Sequence, residues 1–289
     1  MAELLRGTPA AAALTDALIP RCAAIQERGI TPTLAILRVG ARADDVAYEN
    51  AAIKRCQRVG IAVRLFTLPR TCTSEALFAS IDEINRDSSI HGCLMFRPLP
   101  DRAMEAAACN LLSPEKDVDG MTRASLAHVY SGSGAGFAPC TAEACVRLLE
   151  YYGHELSGRR AVVLGRSLVV GRPLAMLLMQ KNATVTICHS RSVNEQEISR
   201  ASDIVVAAVG KPEHVGASYF RPGQIVLDVG IHERADGTLC GDIHSNAAEI
   251  TEAYSPVPGG IGSLTTSVLA EHVLTACEKM TCNSKDDVV

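Results

Sequence analysis

The chain has 289 residues and a formal net charge of −4, which excludes the global basic field that draws in DNA, RNA or anionic lipid. Hydrophobic residues make up 47% and charged residues 21%, enough for a sizeable core in two domains or one large α/β domain. Six Tyr, five Phe and no Trp leave that core to aliphatic side chains, as where a parallel sheet is buried under helices, and disfavour an aromatic base-stacking platform.

In chain order, residues 11–28 read as a helix stopped at Gly29, and residues 33–39 (TLAILRV) as a buried strand ended by Gly40. Asp44 or Asp45 is placed to cap a helix running to Arg58, with Gly60 as its stop. A second strand follows at 61–68, then a helix opened by Ser74 and spaced by Leu77, Ile81 and Ile84. A third strand at 92–96 meets the Pro-bounded segment Arg97-Pro98-Leu99-Pro100, and a short helix runs through Leu112. The small, flexible stretch 131–136 (SGSGAG) is the best boundary signal.

Beyond it, Pro139-Cys140-Thr141 opens a helix at 142–152. A new series follows: strand 160–164, helix 173–181, strand 184–189, helix 194–201, and strands 204–208 and 224–229. The chain closes with a Gly/Pro loop at 256–262, a helix at 264–280 and a polar tail. Strand–helix alternation in both halves predicts parallel sheets.

The eleven Cys are scattered and form no C-x-x-C pair, so neither a zinc ribbon nor a redox pair is expected. They read as small buried hydrophobes in a reducing, cytoplasmic compartment, and no metal is expected. The apolar stretch 10–14, flanked by Glu3 and Asp16, is too short for a secretory signal, and no run is long enough to span a bilayer.

The strongest local motif runs from Val162 to Pro173, where a strand enters a Gly-containing turn and a helix leaves it. That context suits a phosphate-binding loop built on Gly165, Arg166, Ser167 and Gly171, although Ser167 replaces the second Gly of G-x-G-x-x-G and the last Gly comes one residue late. The next strand ends in His189-Ser190-Arg191, with no acid to bind a ribose 2′-OH. Ser190 and Arg191, with Arg166, suit a 2′-phosphate, so NADP is favoured over NAD. Gly210 and Gly230 end two further strands, and each would let a ligand approach the backbone.

From end to end the chain resembles the methylenetetrahydrofolate dehydrogenase/methenyltetrahydrofolate cyclohydrolase family. The resemblance rests on Leu37 to Gly40, Tyr48, Pro114 to Gly120 (PEKDVDG), Pro139-Cys140-Thr141, the Gly-Arg-Ser turn, Cys188-His189-Ser190, Gly210-Lys211-Pro212, Asp228 to Ile231, Gly241-Asp242 and Pro256 to Gly262 (PVPGGIG). It implies an α/β protein of two domains with a cleft between them: an N-terminal αβα folate-binding catalytic domain and a Rossmann-type NADP-binding domain. The first is expected over residues 1–138, completed by a helix at 264–281, the second over 139–263, with a disordered tail at 282–289. The resemblance also implies a reduced folate substrate, a homodimer, and a place in one-carbon metabolism and purine biosynthesis. Tyr48 and Asp119 become the catalytic candidates; Phe96, Arg97, Pro258, Gly259, Gly260 and Thr265 join them around the folate, and Ile231 joins the cofactor set.

The chain departs from the family where the second activity needs its chemistry. The family signature is Tyr-x-x-x-Lys-x-Lys, the first Lys being assigned to cyclohydrolase proton transfer; here it reads Tyr48-Glu49-Asn50-Ala51-Ala52-Ile53-Lys54. Lys54 lies about 200° around the helix from position 52 and is a poor replacement. The family's Gln-Leu-Pro is Phe96-Arg97-Pro98 here, Asp45 stands where Ser is usual, and Ser263 where Pro is common. Hydride transfer depends on alignment, whereas hydration of the methenyl group needs a positioned acid or base. The expected activity is therefore NADP-dependent oxidation of 5,10-methylenetetrahydrofolate with cyclohydrolase weak or lost. The alternatives are an unchanged bifunctional enzyme using Lys54, Asp45 or a water, and a non-catalytic or altered-substrate nucleotide-binding paralogue.

Overall fold

A computed structural model describes residues 2–244, 246 and 250–283. The chain divides into two compact units, Ala13–Cys140 with Thr266–Val289, and Met1–Ala12 with Thr141–Thr265.

The first unit is built on a parallel sheet ordered β3-β2-β4, with β2 at Thr33–Val39, β3 at Ala62–Leu68 and β4 at Gly92–Met95. Register is set by pairs such as Leu34↔Val63 and Leu34↔Gly92. On one face, α3 (Ser74–Arg86) buries Leu77, Ile81 and Ile84, an i, i+4, i+7 stripe, against Leu37, Val39 and Met95. α4 (Arg102–Leu111) adds Ala108 to this core, and the Asp101 carboxylate caps it by accepting from the Ala103 and Met104 amides. Helix α2 (Ala43–Val59) buries Asp45, Glu49, Ala52, Cys56 and Val59. Polar side chains tie the later part of α1 (Gly7–Gln26) to α9 (Gly262–Asn283): Arg21 grips Glu278 through Nε at 2.7 Å, and Thr15 Oγ1 lies 3.2 Å from Ser267 Oγ.

The second unit carries a six-stranded sheet ordered β1-β11-β8-β7-β5-β6 among the described residues. Its strands are β1 (Glu3–Leu4), β5 (Arg160–Leu164), β6 (Thr184–Cys188), β7 (Ile204–Ala207), β8 (Ile225–Asp228) and β11 (Ala253–Ser255), all parallel. Helices α6 (Cys140–Tyr151), α7 (Gly171–Gln180) and α8 (Glu195–Ala201) run between or before them. Chain order reverses at β5, which has β6 on one side and β7 on the other, the topological switch point where doubly wound sheets bind ligands.

Some expectations shift. Helix α2 starts at Ala43 from Arg42, so Asp44 and Asp45 lie in its first turn rather than at its cap. A two-residue strand at Glu3–Leu4 pairs with β11, so residues 1–12 count with the nucleotide-type unit; an element this short has no periodicity to read. The last helix continues through Asn283, past the expected start of the tail at 282, while residues 284–289 lie outside the described ones. The segment 123–131, unread in the sequence, is helix α5 (Arg123–Ser131), capped by Thr122 Oγ1.

Candidate functional site

In the nucleotide-type unit, β5 delivers the chain into Gly165 at φ +129°, where an added Cβ would stand 2.1 Å from the Ala208 carbonyl oxygen; only glycine fits. Ser167, at the place of the second Gly, ties the loop together. Its hydroxyl accepts from the Val170 and Gly171 amides at 3.1 and 3.3 Å, folding the loop onto the start of α7. Gly165, Arg166, Ser167 and Ser190 line a cavity of about 340 Å³ at the ends of β5 and β6. His189 and Lys211, from the strand ends read in the sequence, line it too, as do Glu195, His214 and Tyr219, which sequence reasoning had not assigned there. Arg191 is exposed at the end of β6, with its amide on His189 Nδ1 at 3.2 Å. A glycine cradle, the first turn of a helix and several cations fit a phosphorylated dinucleotide.

Ile231, Pro258, Gly259 and Gly260 meet around a second cavity of about 180 Å³, with Asp228 and Leu239. Thr265 is buried and donates its hydroxyl to the Gly262 carbonyl at 2.9 Å. Gly210 lies in the loop after β7, with nothing within 4 Å of its Cβ position. Gly230 serves a different purpose from the one expected: a Cβ there would strike the Asp242 carboxylate at 2.4 Å, so the close approach is internal.

In the other unit, Tyr48 and Phe96 meet edge to face, ring centroids 6.0 Å apart at 84°. Ala52, one turn after Tyr48, is wholly buried, while Lys54 is exposed. The two buried acids on this helix, Asp45 and Glu49, are committed to cations. Arg42 holds Asp45 bidentately at 2.9 and 2.7 Å and also donates to the Arg97 carbonyl at 3.0 Å; Arg38 Nε holds the buried Glu49 at 2.8 Å.

The PEKDVDG segment divides its labour. The Lys116 ammonium is buried and donates to the carbonyls of Ile84, Asn85 and Asp87 at 2.7–3.0 Å, closing the end of α3. Asp117 accepts from the Met121 and Thr122 amides at 3.0 and 2.7 Å. Asp119 is half-buried, with the Cys140 side chain as a hydrogen-bonding neighbour. Burial pushes its carboxyl above the usual carboxylate range, with the nearby Arg97 charge acting the other way. Behind it, His272 Nδ1 lies 2.9 Å from the Val118 carbonyl.

The family model described as "Tetrahydrofolate dehydrogenase/cyclohydrolase, catalytic domain" matches residues 5–119, and its "NAD(P)-binding domain" counterpart matches residues 139–281. The "Bifunctional protein FolD" of Carboxydothermus hydrogenoformans is 47% identical over 281 residues, 96% of this chain and 98% of its own length. Among solved structures, the bifunctional FolD of Campylobacter jejuni is 30% identical with a TM-score of 0.93, over 96% of this chain and 99% of that one. The Trypanosoma brucei dehydrogenase-cyclohydrolase complexed with NADP cofactor and inhibitor is 32% identical with a TM-score of 0.91, over 97% and 98%. No helix among the described residues is long and apolar enough to cross a membrane.

Proposed function

The chain belongs to the tetrahydrofolate dehydrogenase/cyclohydrolase family, and on that premise we propose that it oxidises 5,10-methylenetetrahydrofolate to the methenyl form with NADP while its cyclohydrolase step is weak or lost. One observation carries the finer part of this reading. Ala52 is wholly buried where the family pattern has the proton-moving Lys, and Phe96 packs on Tyr48 where that pattern has Gln.

NADP supplies the hydride acceptor when bound. The chain's own residues bind and align. Arg166, Ser167, Ser190 and Lys211 line the nucleotide cavity, and Arg191 stands at the end of the adjacent strand. Tyr48 offers a ring face to the folate, and Asp119 takes the pterin N–H groups. Oxidation yields a cation spread over the folate nitrogens, so no protein acid or base is required.

Hydration differs, because water must lose a proton as it adds and ring opening must receive one. An alanine methyl does neither. Asp45 and Glu49 are each engaged by a guanidinium, and Lys54 faces solvent.

A second reading, full bifunctionality, is favoured by the names of the relatives and by one group here: Asp119, whose raised carboxyl would have to move the protons. The two readings separate when methenyltetrahydrofolate is mixed with increasing enzyme. Decay that stays at the spontaneous rate supports loss. Decay proportional to enzyme, and abolished by Asp119→Asn, establishes the second reading. A homodimer in the cytoplasm completes the proposal, its oligomeric state being measured by light scattering.

A further inference from the structure

We infer that Asp242 is a positioning residue for the dinucleotide, acting through the backbone of the loop after β7 rather than by touching the ligand. The inference rests on the reading of the 340 Å³ cavity as the NADP site.

Asp242 is fully buried and follows the two-residue strand β10 (Leu239–Cys240). Its carboxylate accepts from three consecutive amides: Oδ2 from Val209 at 2.6 Å and Gly210 at 3.0 Å, Oδ1 from Lys211 at 2.9 Å. Successive backbone amides turned to one point make an anion-binding concavity. Here the protein's own carboxylate fills it. These amides are therefore spent, and the loop is fixed with Gly210 at φ +69°. From this loop, Val209 and Lys211 line the cavity.

The clamp is supported from two sides. His232, on β9 (His232–Glu233), sets Nε2 2.8 Å from Asp242 Oδ1. The buried Asp228 carboxylate, at the end of β8, accepts from the Gly230, Asp242 and Ile243 amides at 3.1, 2.9 and 3.0 Å, fixing the segment that carries Asp242. Two glycines make room for the carboxylates. A Cβ at Gly241 would stand 1.9 Å from Asp228 Oδ2, and one at Gly230 would stand 2.4 Å from the Asp242 carboxyl. Charge-assisted bonds to three amides hold the loop more firmly than neutral ones would.

The test is NADP binding by calorimetry and steady-state kinetics on the full chain. Asp242→Asn keeps the shape and one acceptor but removes the charge; dinucleotide Kd and KM are expected to rise about 10-fold, by more than kcat falls. His232→Gln keeps a neutral donor toward Asp242 and is expected to change Kd by less than about twofold, whereas His232→Leu moves it in the direction of Asp242→Asn. An Asp242→Asn protein that folds and binds NADP like the wild type overturns the inference. So does a kcat loss with Kd unchanged. Should Asp242→Asn fail to fold, the His232 pair decides: equal Kd in the Gln and Leu variants overturns it. A wild-type chain that binds neither NADP nor NAD contradicts the cavity assignment instead, a separate failure.

Discussion

The two units build their candidate sites from different materials. In the nucleotide-type unit, backbone does the work: Gly165 against the Ala208 carbonyl, a Ser167 hydroxyl on two amides, and the Asp242 carboxylate on three more. In the folate-type unit, side chains do it: the Tyr48–Phe96 pair, Ala52 and Asp119. A backbone-built site is tied to the fold, and changing it threatens the unit. On the proposed reading, a side-chain-built site loses one of two chemistries through two substitutions, while the sheet and its register stay in place.

The largest expected effect comes from placing the family's Lys and Gln at positions 52 and 96. Ala52→Lys with Phe96→Gln should raise methenyl hydrolysis by about 10²–10⁴-fold, the usual worth of a positioned proton-transfer group, measured as enzyme-dependent loss of methenyl absorbance. No gain, with dehydrogenase activity intact, would mean that the difference between the units runs deeper than these two positions.

Gly165→Ala probes the other material. The new methyl must displace the Ala208 carbonyl and tolerate φ +129°, so NADP affinity should fall by at least about 10-fold with a lower Tm, backbone strain of this kind costing about 1–3 kcal/mol. Unaltered binding would show that the loop is more adaptable than its contacts suggest.

Arg166→Ala should act on cofactor choice. On the proposed reading Arg166 pairs with the 2′-phosphate, so its removal should reduce the NADP-to-NAD preference by about 10-fold, read from kcat/KM for each cofactor. An unchanged ratio would move discrimination to Ser190 and Arg191.

The smallest effect is on pH dependence. Burial pushes the Asp228 carboxyl up to about 7, against three amide donors. A raised carboxyl favours the folded unit in its protonated form, so this contribution is present below the usual carboxylate range and is lost as pH rises through about 7. The Tm of the wild type relative to Asp228→Asn should therefore fall between about pH 4 and 7 and level off above that, and a constant difference would contradict the direction.

What could be read in the sequence follows the same division. The TLAILRV run, the Leu77–Ile81–Ile84 stripe and the strand entering Gly165 gave the sheets and the loop, because each rests on local periodicity or on a glycine that the backbone needs. The departure at position 52 was legible only through the resemblance, whose signature has Lys there, and helical spacing set Lys54 aside; Ala52 lies buried with Lys54 exposed. Less legible were the pairings across distance. Nothing near Asp242 in the chain announces the amides of residues 209–211, 31 to 33 positions earlier, and Gly230 read as an opening for a ligand when it makes room for that carboxylate. The strand at Glu3–Leu4 likewise depends on a partner some 250 residues away, Ala253–Ser255.

The central claim, oxidation without hydrolysis, is tested most directly by supplying 5,10-methylenetetrahydrofolate and NADP and following NADPH, methenyl and 10-formyl products together. The account predicts methenyltetrahydrofolate rising in step with NADPH and then decaying at a rate independent of enzyme concentration. Formation of 10-formyltetrahydrofolate at a rate proportional to enzyme, with no methenyl build-up, would contradict it.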